Sequence, residues 1–340
     1  MIKSILLATA AVALLSPIAA QAYELPIRGD DLAAGERFST FVHTGGIQAE
    51  GKDIGVRRNL GGGKWSGLKA SGADKKVLAN WLVYGKPVYA MAAGTVVSCW
   101  RNAPENTPGS YHPAYTAGKI SGGGNHFWVM QDDGVKTLYA HMQTGSVPAN
   151  LCPNNAALFD DKGEAKVTNG VRVKAGQMLG RIGNSGASEG GPHLHVHMEK
   201  AGKPMVMTFS RGMTTPFVDG KTTLDGPWTR LAGKALPNRS ILIWPARQAG
   251  SYTFNGIQSG DYQRLVEHLA DSGTMPNLIT CASGGATYNS KWVPSQGQWS
   301  THHGINGALA AEKNAFYTHQ GFQRTSSYTC GPVSVAVWRK

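Results

Sequence analysis

Three histidines at alternate positions of one segment are the residues of this chain best suited to chemistry. His193, His195 and His197 are separated by the apolar residues Leu194 and Val196, and this period of two predicts a β-strand. On such a strand the three imidazoles share one face. The preceding stretch is rich in glycine, serine and proline, which predicts a loop that permits close approach. The imidazoles could be metal ligands, acid–base groups or a solvated polar face.

A fourth histidine follows another apolar strand. Residues 137–140 are Thr-Leu-Tyr-Ala, and His141 comes directly after them. A catalytic zinc ion needs three protein ligands and an open position for water. It also needs nearby groups that move protons and stabilise negative charge on oxygen. Histidines delivered by two different strands therefore favour a zinc site over a solvated face.

Four motifs, in chain order, resemble the signatures of the lysostaphin/LytM-type zinc endopeptidases. The resemblance covers roughly residues 38–205. The motifs are Gly85-Lys86-Pro87-Val88-Tyr89-Ala90 with Gly94-Thr95-Val96-Val97, then Tyr139-Ala140-His141-Met142, Gly180-Arg181-Ile182-Gly183-Asn184-Ser185-Gly186 and Gly191-Pro192-His193-Leu194-His195.

This resemblance implies a role for each histidine of the motifs. His195 matches a zinc ligand of the family, whereas His193 and His141 match the catalytic pair around the water and the tetrahedral intermediate. The implied activity is zinc-dependent hydrolysis of peptide bonds in peptidoglycan cross-links or in glycine-rich peptides. The implied cofactor is zinc, and the implied partner is peptidoglycan or another peptide polymer.

The two remaining ligands depart from the common family pattern. An Asp is usual shortly before the Gly-x-Pro-Val-Tyr-Ala strand, but this chain has Asn80 there, and an amide is a poor zinc ligand. His43 and Asp53 resemble a branch of the family in which a loop separates the two ligands. We therefore predict that His43, Asp53 and His195 bind the metal. The alternative is a zinc-free site with Asn80, in a catalytically inactive cell-wall-binding or regulatory protein that retains the fold.

The predicted fold is mainly β. Short strand-like runs alternate with Gly, Asn and Pro loops, and the chain contains 44 glycines among 340 residues. We expect an antiparallel β-sheet peptidase core at residues 38–207, with long surface insertions at 57–82 and 100–124. Residues 208–250 are predicted to connect this core to a smaller α+β unit at residues 251–340.

The C-terminal unit contains a weak internal repeat. Gly273, Cys281 and Trp292 recur as Gly321, Cys330 and Trp338, each set preceded by a helix-like segment. A short helix that leads through Gly into two strands, twice, is the predicted structure. A further alternative places the function in these repeats, with the peptidase fold as a carrier.

The N-terminal segment and the cysteines indicate export. Residues 1–22 have the charged start, apolar stretch and Ala-x-Ala ending of a secretory signal, with no Cys after the apolar stretch for a lipid anchor. We therefore expect a secreted or periplasmic protein without a membrane anchor. Four cysteines allow three disulfide connectivities in an oxidising compartment. We favour Cys99–Cys152 and Cys281–Cys330, which pair cysteines within each half.

The formal net charge of +12 favours anionic partners, among which are cell-wall polymers. The basic residues form no run, so the sequence does not support a nucleic-acid site. The oligomeric state stays open.

The other histidines receive simpler predictions. We expect His126 to begin a strand, His112 to face solvent in an insertion, and His197 to lie at the rim of the site. The pair at 302–303 is expected to form a turn or to contact a partner, because no carboxylate lies at a metal-binding spacing.

Overall fold

Strands are the main regular elements of the structure, a computed structural model that describes residues 23–33, 35–43, 45–159, 165–210, 212–223, 229–231, 233–243, 251–271 and 273–340. The predicted signal segment lies outside these residues. Up to residue 243 the described elements are β1 Glu36–Val42, β2 Lys52–Gly61, β3 Lys64–Ser66, β4 Pro87–Tyr89, β5 Gly94–Trp100, α1 Pro113–Thr116, β6 Asn125–Met130, β7 Val135–Met142, β8 Arg172–Val173, β9 Met178–Arg181, β10 Leu194–Lys200, β11 Lys203–Met205, β12 Thr208–Phe209, β13 Met213–Pro216, β14 Thr229–Arg230, β15 Lys234–Ala235 and β16 Ser240–Ile243.

One twelve-stranded antiparallel sheet organises this part of the chain. Its strand order is β14-β13-β16-β1-β2-β10-β7-β6-β5-β8, with β11 added beside β10 and β3 beside β2. Phe38, Ile54, Phe127 and Val196 come from four of these strands, are 0% exposed and pack in one apolar core. Alternation along each strand sends the intervening residues to the opposite face, where polar side chains can collect. The predicted fold class, mainly β with antiparallel sheets, is confirmed.

Part of the predicted connecting segment belongs to the large sheet. β13, β14 and β16 all come from residues 208–250, and β16 pairs with β1 through Phe38 and Leu242. The apolar run 241–243 therefore belongs to a strand of the large sheet. The division into residues 38–207, 208–250 and 251–340 stays a prediction.

The two predicted insertions contain ordered packing. The first begins as a continuation of β2, turns back through β3, and buries Trp65 to 7% exposure. In the second, Ala103 and Ile120 pack with Phe159 in a separate small cluster. Neither segment is therefore only a surface loop.

The C-terminal unit contains the same four elements twice. They are β17 Tyr252–Gln258, α2 Ser259–Asp271, β18 Thr274–Ala282 and β19 Thr287–Pro294, then β20 Trp299–Ile305, α3 Gly307–His319, β21 Gln323–Cys330 and β22 Val333–Arg339. The sheet orders correspond, β17-β19-β18 and β20-β22-β21. The predicted helix and two strands are present in both repeats, and one further strand precedes each helix.

Both predicted disulfides are confirmed. Cys99 of β5 is bonded to Cys152, and Cys281 of β18 is bonded to Cys330 of β21, so the second bond joins equivalent strands of the two repeats. In the ranges that the structure describes, no helix has the length and apolar character needed to cross a membrane.

Replacing Cys99 and Cys152 by serine should lower the free energy of unfolding by about 3 kcal/mol, because the bond restricts the unfolded chain. Urea denaturation of the double variant measures this loss. The Cys281/Cys330 double serine variant provides the comparison, since its sequence separation of 49 is close to 53 for the first pair. Unchanged denaturation midpoints in both variants would contradict a stabilising role.

Candidate metal centre

Three neighbouring strands bring together the predicted metal ligands. Asp53 of β2 lies opposite His195 of β10, and β1 ends one residue before His43. The His195 Nδ1 and Asp53 Oδ1 atoms are 2.9 Å apart, and His43 Nε2 is 3.4 Å from Asp53 Oδ2. One ligand atom from each of the three residues falls within 4.8 Å of the others. The two imidazoles and the carboxylate therefore converge on one position.

The charges at this position suit a cation. Burial opposes ionisation of Asp53, but the hydrogen bond from His195 and the nearby imidazoles outweigh it and lower the pKa of Asp53 to about 2. Burial also lowers the pKa of His195, against the opposing effect of Asp53. An ionised carboxylate beside a neutral imidazole is the form in which both side chains bind metal.

Gly51 permits the close approach of these elements. A Cβ atom at this position would lie 2.9 Å from the Gln48 carbonyl oxygen and 3.0 Å from Cε1 of His195. The His43 amide also donates to the Gly51 carbonyl at 3.2 Å, which closes the loop between the two ligands. No sequence motif distinguishes this glycine from the many others in the chain.

Two further histidines face the same position. His141 and His193 have ring centroids 4.8 Å apart, and His193 Nε2 lies 3.6 Å from Asp53 Oδ1. The Nδ1 atom of His141 donates to the Ser185 carbonyl at 2.8 Å, and that of His193 donates to the Gly191 carbonyl at 2.9 Å. Because a carbonyl only accepts, both imidazoles carry their proton on Nδ1 and leave Nε2 available to a ligand.

A bulge in β7 directs His141 to this face. Two residue steps on β6, from Asn125 to Phe127, are matched by three on β7, from Met142 to Tyr139. Tyr139 and Met142 therefore both lie in the main core, although a regular strand would place them on opposite faces. His141 takes up the extra residue with a φ of 61°, a conformation that is unfavourable for a side chain of this size.

His197 lies deeper than predicted. It is 2% exposed and not at the rim, because it follows His195 by two residues on β10 and packs against the sheet. Its Nδ1 is 2.8 Å from Nε2 of His195, and its ring contacts Trp128 at a centroid distance of 5.1 Å. His197 therefore holds the ring nitrogen of His195 that does not face Asp53.

The remaining polar candidates lie outside this cluster. Asn80 donates its amide to the Asp74 carbonyl at 2.9 Å, and His126 is buried against Gly124 and Ser98. In the C-terminal unit, His302 contacts the Tyr317 hydroxyl.

An open cleft of about 410 Å³ runs from the cluster along the outer face of β1 and β2. Phe41 and Arg57 line its floor, and Trp81 and Tyr111 come from the two predicted insertions. Trp81 packs against Gly191, where a Cβ atom would lie 2.8 Å from the indole. These lining residues could not be predicted from the sequence, because they belong to segments without a recognisable motif.

Residues 157–207 match the family described as Peptidase family M23. The predicted family resemblance is confirmed. The M23 segment includes His193, His195 and the loop whose carbonyls hold the two Nδ1 atoms. No curated protein matches the chain in sequence.

Several solved structures are similar to this chain. The catalytic domain of the antimicrobial peptidase lysostaphin from Staphylococcus simulans is 20% identical, with 50% of this chain and 86% of that chain covered and a TM-score of 0.25. The M23 metalloprotease pseudoalterin, described as from the deep sea, is 16% identical, with coverages of 66% and 97% and a TM-score of 0.30. A zinc-containing peptidase from Vibrio cholerae is 17% identical, with coverages of 51% and 50% and a TM-score of 0.22.

The chemistry of the donor set indicates which kind of metal this group could hold. Two imidazole nitrogens and one carboxylate oxygen suit zinc, and a zinc site of this kind leaves a fourth position for water. The side chain of His195 is 3% exposed, whereas those of Asp53 and His43 are 24% and 38% exposed. The group is therefore enclosed on the side of the sheet and open toward the cleft.

The backbone conformation of His141 predicts an unusual order of stability. His141→Gly should be more stable than His141→Ala by about 1 kcal/mol, because glycine adopts positive φ without steric cost. Both variants lose the same side-chain contacts, so urea denaturation of the pair isolates the backbone effect. At the exposed Lys203, whose φ is not positive, the alanine variant should be the more stable one. If the same substitution, glycine or alanine, were the more stable one at both positions, the result would contradict backbone strain at His141.

The contact between His197 and His195 predicts a dependence of zinc affinity on a residue outside the donor set. His197→Leu should weaken zinc binding roughly 10- to 100-fold, because a metal-binding imidazole needs its other nitrogen oriented. His197→Asn should retain most of the affinity, since its amide places a polar atom near the position of Nδ1. Competition with a zinc chelator measures both values, and circular dichroism checks folding. A His197→Leu variant with the zinc affinity of the parent protein would contradict the role of His197 in orienting His195.

Proposed function

We propose that the protein is a secreted zinc endopeptidase that hydrolyses peptide bonds in peptidoglycan cross-links or in glycine-rich peptides. The observation that carries the proposal is the convergence of His43, Asp53 and His195 with the free Nε2 atoms of His141 and His193 at the end of an open cleft. Groups that bind a metal and groups that move protons are thus within reach of one reacting bond. The M23 match of residues 157–207 supports the same reaction class.

In this proposal His43, Asp53 and His195 hold the zinc ion. When bound, zinc supplies a Lewis acid that polarises a carbonyl and lowers the pKa of a bound water. Residues of the chain itself then transfer protons and stabilise the negative charge on oxygen.

His141 is suited to accept a proton. Burial, with the neighbouring His193 and His195, lowers the pKa of His141 well below its ordinary value, so its Nε2 is unprotonated at neutral pH. Its Nδ1 proton is committed to the Ser185 carbonyl, which orients the ring. The Nε2 atom of His193, more exposed and beside Asp53, is suited to relay a proton to the oxygen or the leaving amine, by accepting one proton before it passes it on.

The cleft and the bulk properties support a polymeric peptide as substrate. The cleft is open and follows two extended strands, so a peptide could lie along them. The net charge of +12 attracts the protein to anionic cell-wall material, and two disulfides suit an oxidising, extracellular compartment.

Asp53→Ala should remove both bound zinc and peptidase activity, because the site loses its only carboxylate among the described donors. His141→Gln should retain zinc but reduce turnover by about 10²- to 10⁴-fold. Asn80→Ala is the control and should keep both properties. The measurements are zinc content of the purified protein and release of new amino groups from peptidoglycan and from pentaglycine.

Two results would contradict the proposal. Loss of zinc in His141→Gln would show that the roles of the histidines are assigned wrongly. Absence of zinc in the parent protein at saturating metal would instead favour a cell-wall-binding or regulatory protein with an inactive site.

A further inference from the structure

The cleft contains a second polar feature at a distance from the metal cluster. Asp53, Gly55 and Arg57 alternate along β2 and all line the cleft floor. Four residues of strand separate the backbone of Arg57 from that of Asp53 by about 13 Å, and the Arg57 side chain extends part of the way back, to the ring of Phe41 opposite Asp53. Gly55, between them, has no side chain, so the floor is uninterrupted from the metal cluster to the guanidinium.

Two aromatic rings fix the position of Arg57. Its guanidinium carbon lies 5.2 Å from the ring centre of Phe41 and 4.9 Å from that of Phe217. Arg239 contacts the same two rings at 5.9 and 5.3 Å but does not line the cleft. The rings hold the charged group by cation–π contact, which does not use its N–H donors.

Among the described residues, no carboxylate pairs closely with Arg57. No ion pair within 4 Å and no side-chain hydrogen bond is found there for its guanidinium. Burial lowers the pKa of Arg57, and the cationic Arg239 lowers it further. The exposed Asp219, at a longer distance, raises the pKa and so opposes both effects. A partly desolvated cation that lies beside another cation gains from an anion supplied by a ligand.

We propose that Arg57 binds a carboxylate of the peptide substrate, so that the cleft selects peptides with an acidic group within about four residues of the cleaved bond. This specificity rests on the proposed peptidase function. The upper limit follows because an extended peptide advances about 3.3 Å per residue, and the guanidinium lies no farther from Asp53 than the Arg57 backbone does. The guanidinium fork matches a carboxylate in two parallel hydrogen bonds, which an amide cannot provide. Acidic side chains and a terminal carboxylate supply the same chemistry.

The test is cleavage of glycine-rich peptides that carry one variable residue at successive distances on either side of the scissile bond. At the selected position, Glu should raise kcat/KM roughly 10- to 100-fold over Gln. A peptide that ends there as a free carboxylate, compared with its amide, separates a terminal group from an acidic side chain. Equal kcat/KM for the Glu, Gln, free-carboxylate and amide peptides at every distance would overturn the proposal.

Variants of Arg57 and Arg239 show which arginine causes the preference for an acidic group. Arg57→Gln should remove the preference for Glu, and Arg57→Glu should reverse it in favour of Lys. Arg239→Gln is the matched control, because it removes a cation from the same two rings outside the cleft, and it should retain the preference. Thermal unfolding confirms that each variant is folded. A preference that survives in folded Arg57→Gln or Arg57→Glu would overturn the assignment.

Binding without turnover separates this proposal from the peptidase function. Isothermal calorimetry with the His141→Gln protein should show weaker binding of the Gln peptide than of the Glu peptide, and Arg57→Gln in that background should remove the difference. If the parent protein cleaves no peptide but this difference is present, the subsite stands and the peptidase function fails. If peptides are cleaved but bind with equal affinity, the peptidase function stands and the subsite fails.

Discussion

The antiparallel register among β1, β2 and β10 is the constraint on which the site depends. Asp53 lies opposite Phe41 on one side and opposite His195 on the other. Residues directly opposite one another have Cβ atoms about 5 Å apart, so their side chains meet without long loops to position them. A shift of one residue would turn Asp53 into the apolar core and separate it from His195.

Around this register, hydrogen bonds set the orientation and the tautomer of the imidazoles. Backbone carbonyls of the loop before β10 accept from Nδ1 of His141 and His193, and His197 holds Nε2 of His195. These partners are buried, so water does not compete for the same nitrogens. The cluster therefore presents the Asp53 carboxylate and the Nε2 atoms of His141 and His193 in fixed positions toward the cleft.

The outer face of the sheet serves two purposes. Near β2 it forms the cleft floor, and farther along it carries Met213, Phe217 and Ile241, which pack with Phe254 and Leu265 of the first C-terminal repeat. Strands covered on both faces need apolar residues on both, as Ile241 and Leu242 of β16 show by packing in different apolar clusters. Phe217 belongs to this packing and also contacts Arg57, so the repeat unit adjoins the far end of the cleft.

The sequence by itself determined the local features. Alternation at 193–197 specified β10, the motifs identified His141 and the M23 resemblance, and cysteine placement in two halves indicated both disulfides. Only the tertiary structure decided which residues meet. The bulge that turns His141, the burial of His197 and the approach of Gly51 depend on neighbouring strands that are distant in sequence. Arg57 and Trp81 were missed for the same reason, because a cleft is a property of packed elements and leaves no periodic signal in the segments that line it.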